Sequence, residues 1–351
     1  MKYKNIQLKD VADIVMGQSP KSVFYNTDGK GIPFLQGVRT FGENYPQIDT
    51  WTTSYNRKAK SGEILFSVRA PVGRVNWANQ DLAVGRGLAT LKIKSGYSKE
   101  YFYYLFKKIG SHLNSLATGT VFTSINKKEL EALELKIPVN LSDQEKIASY
   151  LQKIDQEIEL NNQINDNLQE LRHILYKQLI AQSALKTISI KELYSIKYGK
   201  TLPKSQLLRT GTKVFGAKGF MGYTERKPLV NKATVTITSR GSGAGFVSYI
   251  DEEEAFLTNN LLYLIDKTGL GLSFTYELIK SSKPSQFVTG SAQPQLTINN
   301  LKQLKLKIPT DRFIIEQFKN NTKRIEDCMS NNKIENNSLQ KLRLAFLNYY
   351  F

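Results

Sequence analysis

The sequence predicts an α+β protein. Two similar strand-rich lobes stand in tandem, each followed by a long helix, and the helices pair antiparallel as a coiled coil, giving a pseudo-two-fold symmetric chain. Three observations carry that prediction. Residues 142–182 and 311–351 contain neither Gly nor Pro and repeat apolar residues in steps of three and four, one face of a helix. The chain matches itself at an offset that drifts from 182 to 171. The net charge of +18 is also divided unevenly. Residues 1–141 carry +9, 142–185 carry −3, 186–309 carry +10 and 310–351 carry +2. Basic lobes joined by near-neutral rods suggest two contact points on a polyanion.

In the first lobe (1–141), IQLKDVADIVMGQ is a short apolar run reaching Gly17. GEILFSVRAPVGRV reads as a strand, a turn at Arg69 and a returning strand, and LATLKI as a buried strand. YFYYLFKKIG has helical spacing, and KKELEALELKIP is a helical turn running into a strand that stops at Pro138. The central helix (142–185) should start on a capping box of Ser142 and Glu145. Its stripe is Ile147, Leu151, Ile154 and Ile158, then Leu168, Leu171, Leu175 and Leu179. About 40 residues at ~1.5 Å each make a rod of roughly 60 Å, more than one small lobe buries.

The second lobe (186–309) repeats the first. ISIKELYSIKYGK reaches Gly199, ATVTITSRGSGAGFV sets Arg240 opposite Arg69, NLLYLI and FTYELIKSS follow, and NLKQLKLKIP ends at Pro309. The C-terminal helix (310–351) carries Phe318, Ile325, Met329, Leu339, Leu342 and Phe346. The offset of 171 lays Asn332 and Asn336 on Asn161 and Asn165, polar seam positions of the kind that fix register.

Composition narrows the function. Hydrophobic residues make up 40% of the chain, enough for real cores. No run is apolar enough for a membrane span and no leader pattern opens the chain, so a cytoplasmic protein is expected. One cysteine, Cys328, and two histidines, His112 and His173, supply neither a zinc site nor a histidine metal cluster. Cys328 is expected semi-buried in its helix, His112 on a loop, and His173 mid-helix in a structural or solvent-facing role. Asp251, Glu252, Glu253 and Glu254 read as a solvated acidic turn rather than a cation site. No phosphate-binding P-loop, nucleophile elbow or zinc-protease motif is present. The Gly-rich run 240–246 lacks the third Gly of a dinucleotide loop and leads into a strand, so it reads as a hairpin turn.

The pattern resembles the specificity subunit of type I restriction–modification systems. The residues that carry the resemblance are LKIPVNLSDQEKIASYLQKIDQEIELNN, its weaker copy LKIPTDRFIIEQFKNNTKRIEDCMSNN, the lobe starts at Gly17 and Gly199, and the turns SVRAPVG and TSRGSGAG. The second junction departs from the pattern, with Arg312-Phe313-Ile314-Ile315-Glu316 in place of the polar SDQEK start. The resemblance covers essentially the whole chain and implies a non-catalytic subunit. Each lobe would be a target recognition domain for one half of a bipartite double-stranded DNA sequence. The helices would act as a ruler and dock two methyltransferase subunits, and restriction/translocase subunits would join that assembly. The chain itself would hold no cofactor; S-adenosylmethionine would bind the methyltransferase.

Base edges are read by side chains with paired donors and acceptors. Candidates in the first lobe are Gln36, Arg39, Arg57, Arg69, Arg74 and Arg86; in the second, Lys218, Arg226, Lys227, Arg240 and Gln286. Tyr25, Tyr45, Tyr55 and Tyr223 are candidates for stacking on a base or sugar. Helix pairing and partner docking fall to Ile147, Leu151, Ile154, Ile158, Asn161, Asn165, Leu168, Leu171 and Leu175, and to Phe318, Ile325, Asn332, Asn336, Leu339, Leu342 and Phe346. The lobes diverge most at 18–60 against 200–230 and at 68–88 against 239–261, so an asymmetric target is expected. Two other readings stand beside this one. A fused restriction–methylation enzyme needs an N-P-P-[YF] motif, which is absent. A coiled-coil scaffold with basic lobes would bind RNA or acidic partners without sequence specificity, and sequence discrimination separates it from a DNA reader.

Overall fold

The computed structural model describes residues 1–116 and 124–351, with backbone alone for 111–116. The main elements of the first lobe are β1 (Tyr3–Gln7), β2 (Ala12–Met16), β3 (Ile32–Leu35), β4 (Ile64–Ser67), β5 (Val75–Trp77), β6 (Leu82–Val84), β7 (Leu88–Ile93), α1 (Lys99–Leu116), α2 (Lys127–Glu131) and β8 (Glu134–Pro138). The long helix α3 (Leu141–Gln182) follows. The second lobe has β9 (Leu185–Ser189), β10 (Tyr194–Tyr198), β11 (Thr212–Gly216), β12 (Gly219–Thr224), β13 (Thr234–Thr238), β14 (Val247–Ile250), β15 (Phe256–Leu257), β16 (Leu261–Asp266), α4 (Leu272–Ser281), α5 (Ile298–Leu301) and β17 (Lys305–Pro309). Helix α6 (Arg312–Tyr350) ends the chain. Two compact units result: residues 1–159 with 336–351, and residues 160–335, so each unit contains a lobe and part of both long helices.

The duplicated sequence folds with a duplicated topology. In the first unit an antiparallel sheet runs β2-β7-β4-β5; in the second it runs β10-β16-β13-β14. The central runs ILFS and TVTIT are buried at every residue; both faces are covered, so the residues are apolar or β-branched except Ser67, whose hydroxyl donates to the Pro71 carbonyl and accepts the Arg74 amide. A second sheet in each lobe holds a parallel pair, β3 with β6 and β11 with β15. The lobe ends are tied by β1 against β8, Tyr3 opposite Pro138, and by β9 against β17, Leu185 opposite Pro309. The Ile-Pro endings are therefore the last rungs of these ribbons, from which each long helix departs.

In the first unit α1 sends Tyr101, Phe102 and Phe106 into one core with Phe66, Leu91, Ile147 and Leu151. Helix α3 begins at Leu141, one residue ahead of the expected Ser142–Glu145 box, and the Asn140 carbonyl accepts its first bond, from Gln144. The buried Gln144 side chain ties the junction: its Oε1 accepts from the Ser98 amide at 3.1 Å, and its Nε2 donates to the Pro138 carbonyl at 3.0 Å. At the second junction the matching residue is Ile315, 3% exposed in the second core, so apolar contact replaces that hydrogen-bonded tie.

The helices run antiparallel within each unit. In the first, Tyr150 meets Phe346 with ring centres 5.7 Å apart, and Arg343 Nη1 donates to Asp155 Oδ1 at 2.9 Å. Asp155 also accepts from the buried Tyr104 hydroxyl at 2.9 Å, and burial pushes that phenol far above its ordinary value. In the second, Asn332 donates to Asn165 at 2.9 Å, Asn161 donates to Glu335 at 3.0 Å, and Tyr176 packs between Phe274 and Phe318. Ile147, Leu151, Ile154, Ile158, Phe318, Ile325, Asn161 and Asn336 are buried; Leu168, Leu175, Leu179, Met329, Leu339 and Phe346 are half-buried.

Leu171 and Leu342 depart from the expected pairing stripe, for both are 45% exposed. The stripe is completed by Arg172 and Tyr176, which apolar periodicity skips. Arg172 is sealed at 1% exposure, donates Nε to Glu277 Oε1 at 3.1 Å and lies 4.7 Å from the Tyr276 ring centre. His173 reaches the other Glu277 oxygen at 2.8 Å, a structural tie. Three further expectations are corrected. Cys328 is exposed rather than semi-buried, and His112 lies within α1 rather than on a loop. The acidic quartet is not merely solvated: Glu252 binds Lys213 at 2.6 Å and Lys333 at 2.8 Å.

Candidate nucleic-acid interface

Turns gather at one end of each lobe, where the duplicated sheets leave their strands. In the first lobe Gly17 donates to the Leu88 carbonyl and Gln18 to the Val84 carbonyl, laying the end of β2 on the β6–β7 turn. A Cβ on Gly17 would sit 2.2 Å from the Gly85 carbonyl oxygen; on Gly199 it would sit 2.2 Å from the Thr258 oxygen. The repeated glycine is thus a close-approach position in both lobes.

Gly85 donates to Leu35 and Gly87 to Gln36, while Val68 donates to Gly87. Ser19 Oγ donates to Gln36 Oε1 at 3.0 Å and accepts the Arg86 amide at 3.1 Å. These bonds bring Gln36, Arg69 and Arg86, scattered over 50 residues, to one group of turns with all three side chains exposed. The Arg57 carbonyl accepts from Val84, so Arg57 borders the same group, and Arg74 lies exposed beyond the Arg69 turn. Arg69 is bridged to Ser124, just ahead of α2. Arg39 is held in a bidentate pair with Asp49, at 2.7 and 2.8 Å, which lowers the Asp49 pKa.

The second lobe repeats the frame. Gly199 donates to Leu261, Lys200 to Leu257, Ser239 to Asn260, and Leu296 to Ser239. Arg240 is bridged to Gln295, just ahead of α5, as Arg69 is to Ser124. Lys218 is exposed on the β11–β12 turn, and Lys227 is exposed past β12. Arg226 is committed inside the lobe, donating to the Thr201 carbonyl at 3.1 Å and to Gln206 Oε1 at 2.9 Å. Gln286 is exposed and gives its amide to the Ser282 carbonyl at 3.1 Å.

Of the tyrosines, Tyr45 and Tyr55 are exposed. Tyr25 is packed on Phe34 and donates its hydroxyl to Pro20, and Tyr223 is stacked edge-on by Phe220, so neither ring stands free. The sequence reading missed the exposed Phe220, Met221 and Phe246 and the segment 289–295. Isolated apolar residues beside glycines carry no periodicity, and the 289–295 segment shows its partner only once the Arg240 turn is folded against it. Among the described residues no group of His, Cys, Asp and Glu is placed to hold a metal ion, and no helix is long and apolar enough to cross a membrane.

The family described as type I restriction modification DNA specificity domain matches residues 1–170 and 183–343. The putative type I restriction enzyme MjaX specificity subunit of Methanocaldococcus jannaschii is 38% identical over 168 residues, which are 48% of this chain and 39% of that protein. The MjaIX specificity subunit of the same organism is 27% identical over 182 residues, 49% of this chain and 42% of that protein. The chain therefore spans about two-fifths of the curated relatives it matches. The crystal structure of a type I restriction-modification S subunit from M. genitalium covers 100% of this chain and 96% of its own, with a TM-score of 0.62 and 20% identity, a likeness of fold.

Proposed function

Because the chain belongs to the type I restriction–modification DNA specificity family, we propose that it is the non-catalytic, cytoplasmic subunit that reads DNA for such a complex. Each lobe reads one half of an asymmetric bipartite target. The helices dock two adenine methyltransferase subunits, which bind S-adenosylmethionine and carry the chemistry; a restriction/translocase subunit joins through them. One observation supports this reading above the others: the same hydrogen-bonded turn frame occurs in both lobes with different side chains mounted on it. The two frames share an arginine, Arg69 and Arg240, but Gln36 and Arg86 stand on the first alone and Lys218 on the second alone. A shared frame with unlike readers suits two unlike half-sites. Basic residues around the turns supply sequence-blind phosphate attraction, and the turn residues supply discrimination.

Docking is supported by the exposure of Leu171 and Leu342. These residues correspond across the repeat and have no place in the helix seam, so both helices carry an apolar residue at the same outward position.

The reading is tested by co-expressing the chain with its methyltransferase and mapping methylated adenines in the host genome. One bipartite motif with a fixed spacer is expected, and exchanging residues 1–140 for those of another subunit should alter one half only. An inverted-repeat motif would refute the asymmetry. An assembled complex that methylates no defined motif would refute the reading itself.

A further inference from the structure

In the second lobe the Arg240 turn and the 289–295 hairpin enclose a groove of about 520 Å³, lined by Arg240, Ser242, Gln293 and Gln295. The groove is braced from both sides. Gly241 donates to the Pro294 carbonyl at 2.9 Å, and Leu296 donates to Ser239 at 2.8 Å. Thr289 and Gln295 exchange backbone bonds of 2.9 and 2.8 Å across the hairpin. Asn300 holds the hairpin from below, its amide reaching the Phe287 carbonyl and the Thr289 hydroxyl. Gly290 has φ +89, and a Cβ there would meet the Gln293 carbonyl at 2.6 Å, so the hairpin closes only around glycine.

So much bracing fixes a backbone whose side chains serve no core. Ser242, Ala292 and Gln293 are exposed, and the Ser242 and Gln293 side chains make no hydrogen bond among the described residues. A rigid loop pair presenting an unengaged carboxamide beside an arginine suits a ligand with a paired donor and acceptor next to a negative charge.

We infer that this groove receives an A·T base pair of the half-site read by residues 186–309, with Gln293 as the reading residue and Arg240 on the adjoining phosphate; this rests on the DNA-reading role proposed above. The chemistry selects adenine. A glutamine amide offers one donor and one acceptor in a plane, and the adenine major-groove edge offers N7 to accept and N6 to donate. Gln295 lines the floor, its backbone committed to Thr289 and Arg240.

The test uses the full chain assembled with its methyltransferase subunits, and competition binding with duplexes substituted at each position of the motif. For Gln293→Ala, discrimination at one A·T pair should fall roughly tenfold or more, with the other half-site read as before. For Arg240→Ala, binding should weaken alike for all duplexes, and the salt slope should drop by about one. Gln293→Asn, with the amide drawn back by a methylene, should lose discrimination at the same pair, separating reading from loop stability. A parent complex that discriminates and a Gln293→Ala variant with unchanged preference at every position would overturn this inference alone. A parent complex that discriminates nowhere would overturn it together with the subunit reading.

Discussion

Glu252 illustrates what a residue gains from its fold. In sequence it is one of four adjacent acids, and such runs usually face water. In the fold it is the acid that Lys213 of β11 and Lys333 of α6 both reach, with its side chain only 16% exposed. Burial alone would raise its pKa, but hydrogen bonds and charge from both lysines bring it below the ordinary carboxylate value. A carboxyl lowered on folding stabilises the protein above its unfolded pKa, about 4.3, and that contribution is lost as the pH falls through the folded value. Because the lysines are partly solvated, Glu252→Gln should cost about 1 kcal/mol at pH 7. The gap should close in strong acid, where the parent carboxyl is protonated too. Thermal melting of both proteins across pH checks this; an equal gap at pH 7 and in strong acid would refute it. Nothing local in the sequence marks Glu252 above its neighbours, because both partners lie tens of residues away. The same holds for Gln144, which the fold buries and satisfies, and for Arg172, which it buries against Glu277 with one guanidinium nitrogen left unpaired.

At the scale of elements, legibility follows periodicity. The runs ILFS and TVTIT are buried throughout, LATLKI and LLYLI through their first four residues, and both long helices are present. What periodicity could not assign is the job of each apolar helical residue. Leu151, fully buried, and Leu171, 45% exposed, look alike in the stripe. Their substitutions should therefore separate. Leu151→Ala removes a core side chain and should cost about 2–5 kcal/mol. Leu171→Asp should leave the melting temperature within a few degrees of the parent, yet abolish co-elution with methyltransferase subunits in size-exclusion chromatography. Retained co-elution would remove Leu171 from the docking surface; a large loss of stability would return it to the seam. The turn frames were legible only in outline. Gly17, Gly199, Arg69 and Arg240 stand out through the repeat, whereas Ser19 sits in a segment where the lobes diverge, and Gln293 and Gln295 sit in one that no match between the lobes covers. A repeat marks what the lobes share, and reading residues are where they differ.

Across the whole molecule, charge follows the sequence repeat. The lobes hold +9 and +10 while the helical segments hold −3 and +2, so attraction for a polyanion is nearly equal at both ends of the sequence repeat. That evenness suits a protein whose two reading units each need comparable phosphate contact. On the proposed reading, sequence preference comes from the unlike side chains on the two frames, and the spacer between half-sites is set by the helices. Asn332 donating to Asn165 ties one helix to the other in register, so shortening one helix alone would break the seam. Removing seven residues from each, opposite one another, keeps the seam in phase and shortens each rod by about 10 Å, the length of roughly three base pairs. The assembled variant should methylate the same two half-sites with a spacer shorter by about that amount, read by mapping methylated adenines. An unchanged spacer from a folded, assembled variant would show that the helices dock partners without measuring the target.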